Sequence, residues 1–189
     1  MNKAIFLDRD GTINVEKHYL YRIEDFEFIE RAVDGLRLLQ DEGFLLIIIT
    51  NQSGIGRGFY TEEDFRKLNE WMIDELKSFE IQIAAVYYCP HLSDAVVDKY
   101  RVECDCRKPS LGLFEKAIKD FDIDVSKSYA IGDKIRDCSV CESMDCQGFL
   151  IGANESVEII EQVQQGVYKN VTYVVDLLEA AKKIVEEGK

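Results

Sequence analysis

Two aspartates one residue apart, Asp8 and Asp10, follow directly on a short apolar run and open the stretch Leu7-Asp8-Arg9-Asp10-Gly11-Thr12-Ile13-Asn14. Carboxylates placed that close to a buried strand are costly unless something neutralises them. A hard divalent cation does so, since Mg²⁺ takes a few carboxylate and carbonyl oxygens and keeps positions for water and phosphate. One carboxylate can then attack phosphorus while its neighbour moves the leaving-group proton. Gly11 permits a sharp turn away from the strand. An Asp-x-Asp pair alone is equally well a polar turn that caps a helix; the whole run after an apolar strand speaks for the chemistry.

A second constellation lies downstream. Cys89-Pro90-His91 and Cys104-Asp105-Cys106 supply three thiols and one imidazole in two close pairs, a donor set that tetrahedral Zn²⁺ takes with no open position. Free cysteines with a surface histidine are the alternative. A closed metal site would order a loop otherwise too long to be fixed. It would also aim the next residues, Arg107-Lys108-Pro109, at whatever lies beside it. Cys138, Cys141 and Cys146 have no histidine or fourth ligand nearby and read as small buried hydrophobes.

These groups need a scaffold. Apolar runs at Ala4–Leu7, Phe44–Ile49, Ile83–Tyr88, Tyr129–Ile131, Gly148–Ile151 and Val171–Val175 alternate with helical patterns. Several runs are continuously apolar, as strands covered on both faces of a parallel sheet are. Helix signals lie between them: Ala32 to Gln40 stopped by Gly43, a Thr61 cap with acidic first turn, a Ser110 cap, and an Asp176 cap. The alternation predicts an α/β, three-layer, doubly wound parallel sheet. Ligands in such sheets sit beyond the carboxyl ends of the strands. Those ends carry Asp8, then Thr50 and Asn51, then Cys89, then Asp133.

The order DRDGT, Thr50 in Ile49-Thr50-Asn51-Gln52-Ser53-Gly54, Lys108 in Arg107-Lys108-Pro109, and Asp133 in Ile131-Gly132-Asp133-Lys134 resembles the four motifs of haloacid dehalogenase superfamily phosphatases. The resemblance implies that Asp8 is the nucleophile and Asp10 the general acid and base. It implies that Asp8, the Asp10 carbonyl and Asp133 hold Mg²⁺, and that Thr50 and Lys108 bind the transferred phosphoryl group. Within the superfamily, CPH…CxCRKP is similar to the D-glycero-D-manno-heptose 1,7-bisphosphate 7-phosphatases, with zinc on Cys89, His91, Cys104 and Cys106. Histidinol-phosphate phosphatases share those ligands but have a shorter loop between the histidine and the second cysteine pair. The same resemblance implies that Glu16, Lys17, His18, Tyr19, Gln52, Ser53 and Lys134 line the pocket, Asn51 among them, and that Arg107 meets the substrate's second phosphate or sugar. Arg57, between two glycines near the second motif, is a further candidate cation, or else a solvated loop arginine. Asp137 is either a partner of the metal or Lys108, or an exposed helix carboxylate.

Composition sets the limits. The chain has 189 residues, with 36 acidic against 23 basic side chains and a net charge of −13. That field repels nucleic acid and anionic membranes, and a phosphorylated substrate too unless cations sit at the site. The start lacks a signal-peptide pattern, and no run reaches the roughly 20 apolar residues of a membrane helix. The expectation is one cytoplasmic domain over residues 1–189, with a zinc loop at 89–106, no large cap domain, and action as a monomer on a small phosphorylated sugar. The runner-up substrates are histidinol phosphate and other sugar phosphates. A zinc-stabilised binding protein with a degenerate site is the reading outside enzymes, and intact Asp8, Asp10, Lys108 and Asp133 speak against it.

Overall fold

The computed structural model describes residues 1–152 and 154–187. Among the described residues the apolar runs form six strands: β1 (Ala4–Leu7), β2 (Leu45–Asn51), β3 (Ile83–Cys89), β4 (Tyr129–Gly132), β5 (Gln147–Ile151) and β6 (Val171–Val174). All neighbours pair in parallel, in the order β3-β2-β1-β4-β5-β6. Every residue of β1 is buried, and its side chains alternate between two separate cores. Ile5 and Leu7 join one, Ala4 and Phe6 the other. A strand with a core on each face has no solvent side, which is why its sequence shows no polar alternation.

The helices are α1 (Ala32–Asp41), α2 (Ser53–Gly56), α3 (Glu62–Ser78), α4 (Gly112–Phe121), α5 (Ser139–Ser143), α6 (Val157–Gln164) and α7 (Leu177–Glu187). Leu36 and Leu39 of α1, Met72 and Leu76 of α3, and Ile184 of α7 fill the first core. Phe114 of α4, Val140 and Cys141 of α5, and Val163 of α6 fill the second. The result is the expected three-layer doubly wound fold. Connections from β1 run outward through β2 to β3, and those from β4 run the other way, so the order reverses between β1 and β4. The crevice at that reversal is where such sheets bind ligands.

Local chemistry fixes most element ends. Thr61 Oγ1 accepts from Asp64 N at 3.1 Å, and Asp64 Oδ2 accepts from Thr61 N at 2.8 Å, closing a capping box on α3. Asp176 Oδ1 accepts from Glu179 N at 2.7 Å at the start of α7. Gly43, at φ +81°, ends α1 in the left-handed region. Ser110 does not cap α4. Leu111 precedes that helix without a side-chain cap, and Gly112 N donates to Asp105 O at 2.9 Å instead. A tertiary contact from the cysteine loop has replaced the local cap. A third, smaller core of Ile55, Tyr60, Phe65, Ala95 and Tyr100 joins that loop to the segment after β2. Among the described residues no cap domain covers the crevice; loops alone surround it.

Phe114 is 1% exposed and meets Phe6 edge-on, with centroids 5.5 Å apart. Phe114→Ala is expected to cost about 3–5 kcal/mol of stability, read from the urea midpoint at constant m.

Candidate active site

Three strand ends and one loop converge on the crevice. Asp8 follows β1 and is tied to β4 by its own N–H, which donates to Ile131 O at 2.9 Å. Asp133 follows β4, and Thr50 and Asn51 close β2. Lys108 enters from the cysteine loop, 2% exposed. Its ammonium donates to Asp8 Oδ1 at 2.8 Å and to Ile49 O at 2.5 Å, and pairs with Asp137 Oδ1 at 2.7 Å. Asn51 holds the lysine's backbone from both sides, donating to Lys108 O and accepting from Lys108 N, each at 3.0 Å. The ammonium is therefore fixed at its root as well as at its tip.

Carboxylate oxygens of Asp8, Asp133 and Asp137 lie within 4.8 Å of one another. One ammonium against three buried carboxylates leaves an excess of negative charge. Burial pushes the Asp8 carboxyl up to about 8, with Lys108 pulling it down and Asp137 and Asp133 pushing further up. Burial and then Asp137 push Asp133 up to about 7, and the Asn154 amide, donating to Asp133 Oδ2 at 2.9 Å, opposes them. Burial also works against the Lys108 charge, but Asp137 and Asp8 outweigh it and raise its pKa. Hard oxygens, surplus negative charge and space beside them fit Mg²⁺. Gly11, at φ +85°, packs so closely on Asp133 that any side chain there would collide with the carboxylate.

Asp10 is held differently. Burial would raise its pKa, but Arg9, Asn14 and Gln52 hold it below the usual carboxylate range. Arg9 Nη2 reaches both carboxylate oxygens, at 2.8 and 2.9 Å, Asn14 Nδ2 donates to Oδ1 at 3.0 Å, and Gln52 Nε2 donates to Oδ2 at 2.9 Å. Gln52 also bonds Thr50 Oγ1 at 3.0 Å and accepts from the Tyr60 hydroxyl. Arg9 is fully buried, and its Nη1 reaches Asn69 Oδ1 at 3.4 Å. The two aspartates of one motif thus face opposite electrostatics: Asp8 shares a cation in a crowd of anions, while Asp10 has a cation to itself.

The crevice has two adjoining lobes. The first, about 300 Å³, is lined by Asp8, Asp10, Thr50, Lys108, Asp133, Lys134, Asp137 and Asn154. The second, about 230 Å³, is lined by Tyr19, Gln52, Ser53, Gly54 and Tyr60 among others. Asp10, Glu16, His18, Asn51 and Arg136 border both. His18 and Tyr19 are consecutive left-handed residues, at φ 47° and 68°, conformations that side chains other than glycine's take only when their surroundings impose them. Tyr19 stacks edge-on against Phe59 with centroids 4.7 Å apart.

Beside the crevice, Cys89, His91, Cys104 and Cys106 converge with donor atoms within 4.8 Å of one another. Their sulfurs are 3.1, 3.2 and 3.6 Å apart, and His91 Nδ1 is 3.2 Å from Cys106 Sγ. A tetrahedron with Zn–S bonds of about 2.3 Å has edges of about 3.8 Å, so the four donors fit one ion after a slight outward relaxation. Cys138, Cys141 and Cys146 are buried in the second core. Gly148 leaves room for two of them: a side-chain carbon there would lie 3.0 Å from Cys138 Sγ and 3.1 Å from Cys141 Sγ.

Comparison with known proteins agrees with this architecture. The family model described as polynucleotide kinase 3 phosphatase matches residues 3–146. The D-glycero-beta-D-manno-heptose-1,7-bisphosphate 7-phosphatase of Haemophilus ducreyi is 46% identical over 144 residues, covering 75% of this chain and 78% of that protein. Its namesake from Escherichia coli K12 is 47% identical over 71% of this chain and 70% of its own. The chain belongs to the heptose bisphosphate phosphatase family. It is accordingly a phosphoric monoester hydrolase. Among solved structures, the D,D-heptose 1,7-bisphosphate phosphatase of B. bronchiseptica, solved with magnesium and phosphate, superposes with a TM-score of 0.84 at 24% identity, covering 98% and 99% of the two chains. That likeness shows the fold.

Most residues singled out from the sequence for catalysis and substrate binding line the two lobes of this phosphatase, but three do not. Lys17 pairs with Glu27 at 3.1 Å. Arg57, just after α2, is half-buried outside both lobes, with its Nε enclosed and without a partner among the described residues. Arg107 donates to His91 O at 3.3 Å and lines a neighbouring cleft beside the cysteine loop that shares Lys108 with the first lobe. Asn51 borders the crevice, but its amide is engaged with Lys108. Asp137 is 4% exposed and grips Lys108, so it is no surface helix carboxylate. Four contributors escaped the sequence reading: Arg9, Tyr60, Arg136 and Asn154. Arg9, an arginine between two aspartates, carried a signal in its neighbours; Tyr60 and Asn154 carried none.

Asp8 and Asp133 give a pH test. Both retain a proton in the folded chain that the unfolded chain releases near the ordinary value of 3.8. Their contribution to stability is therefore fully present below the ordinary value of 3.8 and is lost progressively as pH rises from there to about 7 and about 8. Thermal unfolding of magnesium-free protein should show Tm falling across that window, and Asp133→Asn should flatten the slope.

Proposed function

We propose that this phosphatase removes the 7-phosphate of D-glycero-D-manno-heptose 1,7-bisphosphate by a magnesium-dependent route through an aspartyl-phosphate on Asp8. The observation that carries the mechanism is the buried cluster of Asp8, Lys108 and Asp133 at the β1–β4 reversal. The substrate follows the relatives' names, and a two-lobed crevice suits a sugar with a phosphate at each end.

Asp8, the Asp10 carbonyl and Asp133 would hold Mg²⁺, which when bound offsets charge on the phosphoryl oxygens. Lys108 and Thr50 hold the transferred group from the other side. An Asp8 carboxylate oxygen attacks phosphorus, the bond from phosphorus to the sugar oxygen breaks, and Asp10 delivers a proton to that oxygen. Water then attacks the aspartyl-phosphate, Asp10 takes the water's proton, and inorganic phosphate leaves with Asp8 regenerated. Arg9 keeps Asp10 ionised in the state described above, which suits the base role; for the acid role Asp10 must enter the cycle carrying a proton, which it gives to the leaving oxygen and recovers from the attacking water. Glu16, His18, Tyr19, Gln52, Ser53 and Lys134 bound the sugar's space. A net charge of −13 disfavours a polynucleotide substrate. We further propose a cytoplasmic monomer with structural zinc on Cys89, His91, Cys104 and Cys106; among the described residues no helix is long and apolar enough to cross a membrane.

The deciding assay is phosphate release, with Mg²⁺ present, from both anomers of the heptose bisphosphate, fructose 1,6-bisphosphate, histidinol phosphate and p-nitrophenyl phosphate. A marked preference for a heptose bisphosphate, abolished in Asp8→Asn, is expected. Preference for histidinol phosphate would overturn the substrate, and an active Asp8→Asn the covalent route. No release at all would favour a zinc-stabilised binding protein. Metal analysis should find one zinc per chain, and Cys104→Ser should lower both zinc content and Tm. A full-strength Tm in protein lacking zinc would remove the structural role.

A further inference from the structure

We infer that Asn154 is a positioning residue for the metal site, its neutral amide fixing the Asp133 carboxylate in the direction Mg²⁺ requires, an inference that rests on the magnesium-dependent phosphatase reading above. Of the three clustered carboxylates, two are held by the lysine: Lys108 pairs with Asp8 and with Asp137. Asp133 forms no ion pair among the described residues. Its side chain has one hydrogen bond there, from Asn154 Nδ2 to Oδ2 at 2.9 Å. Left to the like charges of Asp8 and Asp137, the carboxylate would turn away from the cluster. A lysine or arginine could also hold it, but would offset the charge a divalent cation is attracted to. An amide donates without carrying charge. It engages Oδ2 alone, which leaves Oδ1 for the ion.

The fold brings the two side chains together. β5 pairs with β4, Leu150 opposite Gly132, so the loops after these strands emerge side by side, one with Asp133 and the other with Asn154. Asn154 is exposed, yet the chain that follows it is anchored. Glu155 Oε2 accepts from Ile135 N and Oε1 from Ser156 N, each at 2.9 Å. Ser156 in turn caps α6, its Oγ accepting from Ile159 N at 3.4 Å. The first motif closes the remaining side. A side-chain carbon on Gly11 would lie 2.1 Å from Asp133 Oδ2 and 2.7 Å from Asn154 Nδ2, so the hydrogen-bonded pair occupies the space that glycine leaves. Gly11 directly follows Asp10, which carries the carbonyl proposed for the ion. Partners that orient a ligand in this way change metal affinity by roughly 10- to 100-fold when removed.

The test titrates Mn²⁺ into magnesium-free wild type, Asn154→Ala and Asp133→Asn, counts the free ion by electron paramagnetic resonance, and then competes it off with Mg²⁺. Loss of binding in Asp133→Asn locates the counted ion in the crevice. Asn154→Ala should bind both ions about 10-fold more weakly. The Mg²⁺ concentration for half-maximal phosphate release from p-nitrophenyl phosphate should rise by the same factor, and the deficit in rate should shrink as Mg²⁺ approaches saturation. Unchanged affinity for both ions in Asn154→Ala overturns the inference and leaves the phosphatase reading standing. A change confined to KM does the same, since it makes Asn154 a substrate contact. A wild type that needs no divalent ion, or an Asp133→Asn that binds Mn²⁺ as tightly as wild type, overturns the magnesium reading and the inference with it. Since Asn154 is exposed, the Tm of the magnesium-free protein should be unaltered, and a Tm loss in step with the weaker binding counts against the assignment.

Discussion

The site is organised around one buried ammonium. Lys108 lies between Asp8 and Asp137 at 2.8 and 2.7 Å, and much of the surrounding architecture keeps it there. Removing one partner of such a group leaves a buried charge without compensation, at a cost of about 3–5 kcal/mol. The lysine does not come from the sheet. It comes from the loop that follows β3, so its position depends on that loop being fixed. Three devices fix it: the paired hydrogen bonds from Asn51, the convergence of Cys89, His91, Cys104 and Cys106, and the small core that includes Ala95 and Tyr100.

Even so, one lysine does not balance three carboxylates. Burial first, and the surplus after it, pushes the pKa values of Asp8 and Asp133 upward, so in the absence of a further cation both carboxyls hold their protons into the neutral range. Asp10 shows the reverse solution two residues away, with Arg9 supplying a dedicated positive charge. A single short motif thereby holds two carboxyl groups whose proton affinities are driven apart, the arrangement from which separate nucleophile and proton-transfer roles arise.

The sheet was legible in the sequence because its strands are buried on both faces and therefore continuously apolar, as β1 and the Leu46–Ile49 stretch of β2 illustrate. Asp8, Thr50 and Asp133 were legible because strand ends in this fold define where ligands lie, and Lys108, which lies on a loop, through its motif Arg107-Lys108-Pro109. What could not be read was direction. Arg107 precedes Lys108 in sequence, yet its guanidinium turns back to His91 O, and nothing in the local pattern specifies that turn. Arg136 drew no attention for the opposite reason: an exposed arginine beside an aspartate looks like ordinary surface until the lobe it borders is known. The Ser110 cap failed through tertiary override, since the backbone of Asp105 took the place that the serine would have filled.

The crevice lies at the reversal between β1 and β4, strands adjacent in space and separated by the β2 and β3 units in the chain. Asp8 leaves the ribosome well before Asp133, which follows only after both units and the cysteine loop have been synthesised. A nascent chain therefore carries Asp8 long before the lysine and carboxylates that surround it. The buried cluster of Asp8, Lys108, Asp133 and Asp137 is completed late and at once, and a partial chain that ends before β4 lacks it.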